Sequence, residues 1–198
     1  SSRLTRAAVR VASMGYAVPG TVVAVGVVIP FAWFDNSADQ LMRDSFGVST
    51  GLILSGTLAA LVFAYLVRFM AISVNTLEAS LTKVTPSMDA AARTLGQRTW
   101  GTLRRVHFPL MSGSVLTAGL LVFVDVLKEL PATLILRPFN FNTLAVRTYE
   151  LASDERLYEI GLPAVAIVVA GLVPIIILSR SIARSRPGYW SDKGGAKT

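Results

Sequence analysis

Three ionisable side chains stand close together in the stretch VFVDVLKELPATL: Asp125, Lys128 and Glu129. On a helix, steps of three and four residues put side chains on one face, where a carboxylate and an ammonium can pair or line a polar path. The residues before them are apolar back to about position 110, so they sit at the end of a membrane-length run. Charges there are expensive unless paired or wet. Two chemistries follow: part of a translocation path or external gate, or a structural ion pair at the interface. Pro131 is expected to stop the helix just beyond them.

Catalysis has fewer candidates. The chain has no cysteine and a single histidine, which excludes disulfides, thiolate metal sites and cysteine nucleophiles and leaves a histidine metal cluster without members. Ser112 and Ser114 have no base near them in sequence and read as packing residues. The ending GGAKT, 194–198, lacks the Gly-Lys adjacency of a phosphate-binding loop and has no helix after it, so this chain is not expected to bind ATP through a P-loop of its own. Neither a catalytic site nor a cofactor is expected in it.

A second stretch, MDAAARTLGQRTWGTLRRVHFPL at 88–110, is basic, alanine-rich and interrupted by Gly96. Thr85 and Pro86 fit an N-cap and first helical position, and Ala90, Ala91 and Ala92 are strong helix formers. Gly96 fits a left-handed C-terminal cap; Thr99 is expected to cap a second short helix carrying Leu103 and Val106, with Pro109 starting the next span. Arginines on anionic lipid account for the charge. They do not account for a bend that presents side-chain-poor alanines, which is what a surface needs when another protein must approach its backbone.

The elements that hold these stretches are set by hydropathy. With 53% hydrophobic and 16% charged residues and a mean hydropathy of +0.56, the chain is too apolar for an ordinary soluble domain. The net charge of +7 could point to nucleic acid, but the arginines alternate with membrane-length runs and form no single patch. Four runs, about 16–34, 50–70, 110–128 and 160–179, approach the roughly 20 residues a bilayer core needs. The first follows Arg3, Arg6 and Arg10 yet is too long for a signal-peptide core and reads as a retained span. An all-α, polytopic membrane bundle follows.

Fourteen of the nineteen basic residues fall in 1–15, 68–109 and the tail after 179, against Glu78, Asp89 and Asp192. The excess assigns both ends and the 88–110 stretch to the cytoplasm, with Trp33, Phe34, Tyr149 and Tyr158 near the outer interface. Gly56, Ala60 and Ala64 on the second span, and Ser114 and Ala118 on the third, suggest close helix contact. Pro19, Pro30, Pro163 and Pro174 should kink or bound their helices. Val74, Leu77, Leu81 and Val84 extend the second span as an amphipathic helix. In the tail, 180–198, Tyr189 and Trp190 are placed at the interface.

The run AAARTLG, nine further residues and then VHFP resembles the EAA loop, E-A-A-x3-G-x9-I-x-L-P, of permease subunits of binding-protein-dependent ABC importers. Ala91, Ala92, Gly96, Val106 and Pro109 fall at matching positions, and Phe108 replaces the leucine. The glutamate position is Ala90; Asp89 precedes it, displaced by roughly 100° around the helix. KELPATL, LRPF and YELASDE, with GYAVPGT and AYLVRF upstream, are similar to iron(III)-type permeases.

The resemblance implies a partial type I importer permease fold over 1–179, with a coupling loop at 85–109, in a bacterial inner membrane. It also implies that Asp89, Ala90, Ala91, Ala92, Leu95 and Gly96 dock on an ATPase subunit that binds the ATP. Further implied partners are an extracytoplasmic substrate-binding protein that hands over ferric ion, a second permease half and membrane lipid, with no nucleic acid. Family members are longer and have two membrane halves; this chain resembles the second and is expected to be a fragment. The alternative cargo is thiamine, a polyamine or another small solute. Rival readings are an ATPase-independent carrier or channel built on Asp125, Lys128 and Glu129, and a membrane scaffold without transport.

Overall fold

The computed structural model describes residues 3–184, which are helical or irregular throughout with no strand among them. Expectations for 185–198, including Tyr189, Trp190 and GGAKT, lie outside the described residues. The chain order is α1 (Arg3–Met14), α2 (Gly20–Phe46), α3 (Leu58–Leu81), α4 (Pro86–Thr94), α5 (Thr99–Thr102), α6 (Phe108–Leu127), α7 (Pro131–Leu136), α8 (Leu144–Ser153) and α9 (Leu157–Arg184). Four helical stretches among the described residues are long and apolar enough to cross a bilayer: Gly20–Phe46, Leu58–Leu81, Thr99–Leu127 and Leu157–Ile177.

Helix α3 lies at the centre, packed against α1, α2, α6 and α7, while α9 packs on α6 and α8. A dry cluster forms where Val23, Ala24 and Val27 of α2 meet Ala60, Leu61 and Ala64 of α3 and Ala132 and Leu136 of α7. Ala60 and Ala64 are almost fully buried, as their spacing predicts, because small side chains let helix backbones approach where lipid removes most of the hydrophobic drive. Ala118 of α6 is buried as well.

Three boundaries differ from the sequence reading. Residues 50–57 are not helical, and Gly56 lies in this connection with φ +69°, so it takes no part in the small-residue face. Asp35, just past the midpoint of α2, and Asp39, one turn further on, gather the connection. Asp35 accepts the backbone N–H groups of Ile53, Leu54 and Ser55 at 3.2, 2.9 and 2.7 Å, and Asp39 those of Thr50 and Gly51. Three backbone donors on one carboxylate hold the chain in a turn that apolarity alone read as span. The last helix continues beyond 179 to Arg184, into the stretch read as tail.

The third difference is in the first span, which starts at Gly20 and runs on to Phe46 where 16–34 was expected, with Pro19 bounding it as expected. Between α1 and α2 the helix gives way to a tight 3-10 turn, Gly15–Ala17, and Pro19, which has no N–H to donate. The break brings backbone against α3: a Cβ at Gly15 would lie 2.1 Å from the Val67 carbonyl oxygen. The freed carbonyl of Val18 accepts from Arg68 Nη1 at 3.2 Å. Broken backbone packed against another helix requires such partners. Pro30, Pro163 and Pro174 lie inside helices that continue through them.

Arg68 sits in the middle of α3, and its Nε lies 3.4 Å from Glu129 Oε2. The carboxylate is 6% exposed, and its other oxygen accepts from the N–H of Ala132 at 3.2 Å. Gly20, first residue of α2, packs directly over the pair. A Cβ there would lie 2.6 Å from Glu129 Oε1 and 2.8 Å from Arg68 Nη1. Thr133 completes the joint, donating to the Glu129 carbonyl and sharing a short hydrogen bond with the Tyr65 hydroxyl.

Removing one partner of a buried pair strands the other charge. We expect Glu129→Ala to lower the stability of the detergent-solubilised protein by about 3–5 kcal/mol, and Arg68→Met with Glu129→Leu to recover only part of it, because the Val18 carbonyl and the Ala132 N–H stay without their partners, in thermal melts followed by size-exclusion. Equal losses in the single and double variants would contradict the pairing. Gly20→Ala should also destabilise, by about 1–3 kcal/mol, because it overfills the joint. Gly26→Ala, with nothing within 4 Å of the added carbon, serves as the control and should be neutral or slightly stabilising.

Candidate coupling loop and charge cluster

Helix α4 starts where its sequence predicts, with Thr85 extended at the N-cap position (φ −88°, ψ 151°) and Pro86 in the first turn, although the Thr85 hydroxyl pairs with that of Ser87 and caps no backbone N–H. It ends at Gly96, where φ is +75°. There the Gln97 N–H reaches back to the Ala92 carbonyl and the Gly96 N–H to that of Arg93, both at 3.0 Å. This six-to-one and five-to-two pattern is the closing motif that needs a residue without a Cβ penalty in the left-handed region. The chain leaves extended through Arg98 (φ −83°, ψ 168°) and turns into α5. Arg98, not Thr99, therefore holds the cap position, and its side chain caps nothing.

The second helix does not end where Pro109 led us to expect. Residues Leu103–His107 form a π turn in which the Phe108 N–H bonds the Leu103 carbonyl, so α5, this turn and α6 run as one helix over Thr99–Leu127. An ordinary turn would drive the Pro109 ring against the carbonyl four residues back and leave that carbonyl without its donor. Widening the turn re-routes the hydrogen bonds around the proline.

Asp89 and His107 join α4 to that continuous helix, with Asp89 Oδ1 2.7 Å from His107 Nε2. The pair lines a notch of about 340 Å³ with Arg93, Thr99, Thr102 and Leu103. Arg105 Nη1 donates to Gln97 Oε1 at 3.2 Å and braces the bend from the other side. Ala90, Ala91 and Gly96 are exposed, and Leu95 and Trp100 stand out at 79% and 72% exposure. Ala92 faces inward and is buried, beneath this surface.

The other site separates what its spacing had grouped. Lys128 Nζ pairs with Asp125 Oδ1 at 2.8 Å at the end of α6, but Glu129 takes a different partner, Arg68. The cause is local: α6 ends at Leu127, Lys128 takes the cap position (φ −100°, ψ 0°), and Pro131 opens α7 on a new axis. One helical face no longer describes the three. The LRPF and YELASDE stretches meet beside this region, where Arg137 Nη2 donates to Glu150 Oε1 at 3.0 Å and Asn142 Nδ2 to Glu150 Oε2 at 2.8 Å.

Sequence reasoning counted Arg68 as a loop cation and missed its role. A signal was available: an ionisable residue inside an apolar run demands a partner. Asp35 carried a similar signal, lying just after Trp33 and Phe34. His107 offered none beyond being the single histidine, since its partner lies 18 positions away.

Known proteins agree with this architecture. Residues 1–189 match the family described as binding-protein-dependent transport system inner membrane component. An Fe(3+)-transport system permease protein of Haemophilus influenzae is 27% identical over 166 residues, covering 83% of this chain and 29% of that protein. A protein of Salmonella typhimurium named as a 2-aminoethylphosphonate transport system permease is 23% identical over 168 residues, covering 85% of this chain and 57% of its own length. The chain thus spans between about a quarter and three fifths of the relatives it matches. With four membrane-length helices and this match over nearly its whole length, the chain belongs to the family of binding-protein-dependent transport system inner membrane components.

Proposed function

We propose that this chain is the permease part of an ABC importer and that α4 with its Gly96 bend is the handle gripped by a separate ATPase. One observation carries the reading. An exposed patch of Ala90, Ala91, Leu95 and Gly96 is fastened by the Asp89–His107 contact to a 29-residue helix that continues into the membrane without a break. A push on such a patch is delivered along the helix and is not absorbed in a flexible linker. Rigid-body switching between packings needs that stiffness.

In this reading Asp89 is a positioning residue that sets the angle of α4, and Ala90, Ala91, Leu95 and Gly96 make the contact. The excess of basic residues at this end puts it in the cytoplasm. ATP is bound by the partner subunit, and a substrate-binding protein and a second membrane half complete the importer. The Asp125–Lys128 pair lies at the other end of α6 and is proposed to border the translocation path or gate, with Glu129 acting on it through the Arg68 joint. Ferric ion is the proposed cargo, on the strength of the Haemophilus influenzae relative. 2-Aminoethylphosphonate is the second reading, from the Salmonella typhimurium relative.

Two measurements test this. Pull-down of the tagged protein should bring a nucleotide-binding subunit with it, and cells should accumulate radiolabelled ferric ion in an ATP-dependent manner. Gradient-driven uptake with no such subunit would favour the carrier reading, and uptake of labelled 2-aminoethylphosphonate instead of iron would move the cargo. Gly96→Leu forces a branched side chain into a left-handed turn, at a strain of about 1–2 kcal/mol. It should leave membrane insertion intact while uptake falls at least tenfold relative to ATP hydrolysis. Normal coupling in that variant would remove the handle.

A further inference from the structure

A second surface, further along α3 than the dry cluster, is not used by the proposed function. Helix α1 carries Arg3, Arg6 and Arg10 and no acidic residue, and none of its side chains is buried. It is tied to α3 by the Ser13 hydroxyl, which donates to Asn75 Oδ1 at 3.0 Å. Beside that tie a trough of about 910 Å³ lies between the two helices, walled by Val9, Met14, Val74, Leu77 and Leu81. Arg6 and Arg10 also line it, and the same two arginines line an adjoining hollow of about 480 Å³ together with Arg3.

We infer that this pair of hollows is a binding site for one anionic phospholipid, with an acyl chain in the trough and the phosphate on Arg6 and Arg10. Charge complementarity commits the occupant. Among the described residues no acidic side chain lies within ion-pair distance of Arg3, Arg6 or Arg10. Glu78 is on the α3 wall of the trough, but the arginine hollow has no acid in its lining. A phosphate therefore settles on the α1 side, away from Glu78.

The apolar half of the site discriminates among anions. A soluble phosphate or a nucleic acid would satisfy the guanidinium groups and leave Val9, Leu77 and Leu81 facing water. Another protein helix would cover the apolar wall and leave three cations unmatched. An amphiphile with an anionic head satisfies both, and a trough of about 910 Å³ falls in the range of roughly 300–1,000 Å³ that takes an apolar group of drug-like size, here one acyl chain. Long arginine side chains at a helix end also reach naturally to headgroup level.

The test uses the full chain, with any subunits that copurify, equilibrated in nanodiscs of equal phosphatidylglycerol and phosphatidylcholine and read by native mass spectrometry. One phosphatidylglycerol should be retained preferentially. Arg6→Gln with Arg10→Gln should reduce that preference by on the order of tenfold or more, given the attraction of each surface cation to an anionic leaflet. Arg6→Lys with Arg10→Lys should keep most of it. Leu77→Trp fills the trough without changing charge and should also release the lipid.

Four outcomes would overturn the proposal: equal retention of both lipids, displacement by inorganic phosphate, indifference to Leu77→Trp, or crosslinking of Val9→Cys to protein in place of lipid. Circular dichroism and melts of each variant separate lost binding from lost folding. Because the readout is lipid occupancy, failure here leaves the ATPase-handle reading intact.

Discussion

A guanidinium and a carboxylate inside a membrane bundle can persist only if each answers several needs at once. Arg68 faces Glu129 and also donates to the Val18 carbonyl that the break between α1 and α2 leaves open. Glu129 takes Arg68 and the first free N–H of α7, and lies against the N-terminal end of α2, whose dipole favours a negative charge. The break between α1 and α2, the reversal after α6 and the central position of α3 are thus three views of one joint. Remove the charge pair and each of those backbone irregularities loses a partner that lipid cannot supply.

The two ends of α6 are built on opposite principles. At the Gly96 end the chain avoids interruption: a proline that would normally begin a new helix is accommodated by a wider turn, and Asp89 with His107 pins α4 to the result. At the Leu127 end the chain bends sharply, using a cap at Lys128 and a proline at 131 to send α7 back along α2. Stiff at one end and folded over at the other, α6 links an exposed surface to the buried charge pair through a single rod.

Much of this was legible in the residues. Four membrane-length runs, the Thr85–Pro86 start, the left-handed Gly96 and the buried Ala60 and Ala64 all follow from local chemistry or from periods that a helix must obey. The misreadings share a cause, which is that the deciding partner is remote in sequence. Residues 50–57 look like span until Asp35 is seen to hold three of their N–H groups. Glu129 looks like a neighbour of Asp125 and Lys128 until Arg68, sixty-one positions away, is seen to claim it. Ala92 looks equivalent to Ala90 and Ala91, and only the packing beneath α4 separates it from them.

The π turn carries one more consequence, for angular phase. A wide turn holds one residue more than an α-turn, so the helix beyond it is offset by roughly 100° from the stripe that precedes it. The orientation of α6 about its own axis, and hence the inward aim of Ala118, is set by a local anomaly at 103–107. Deleting a single residue there would regularise the spiral and leave the inward side chains of α6 facing their neighbours, whereas a deletion further along α6 would swing those beyond it by roughly 100°. A position that resembles a structural defect acts as the indexing mark of the whole rod.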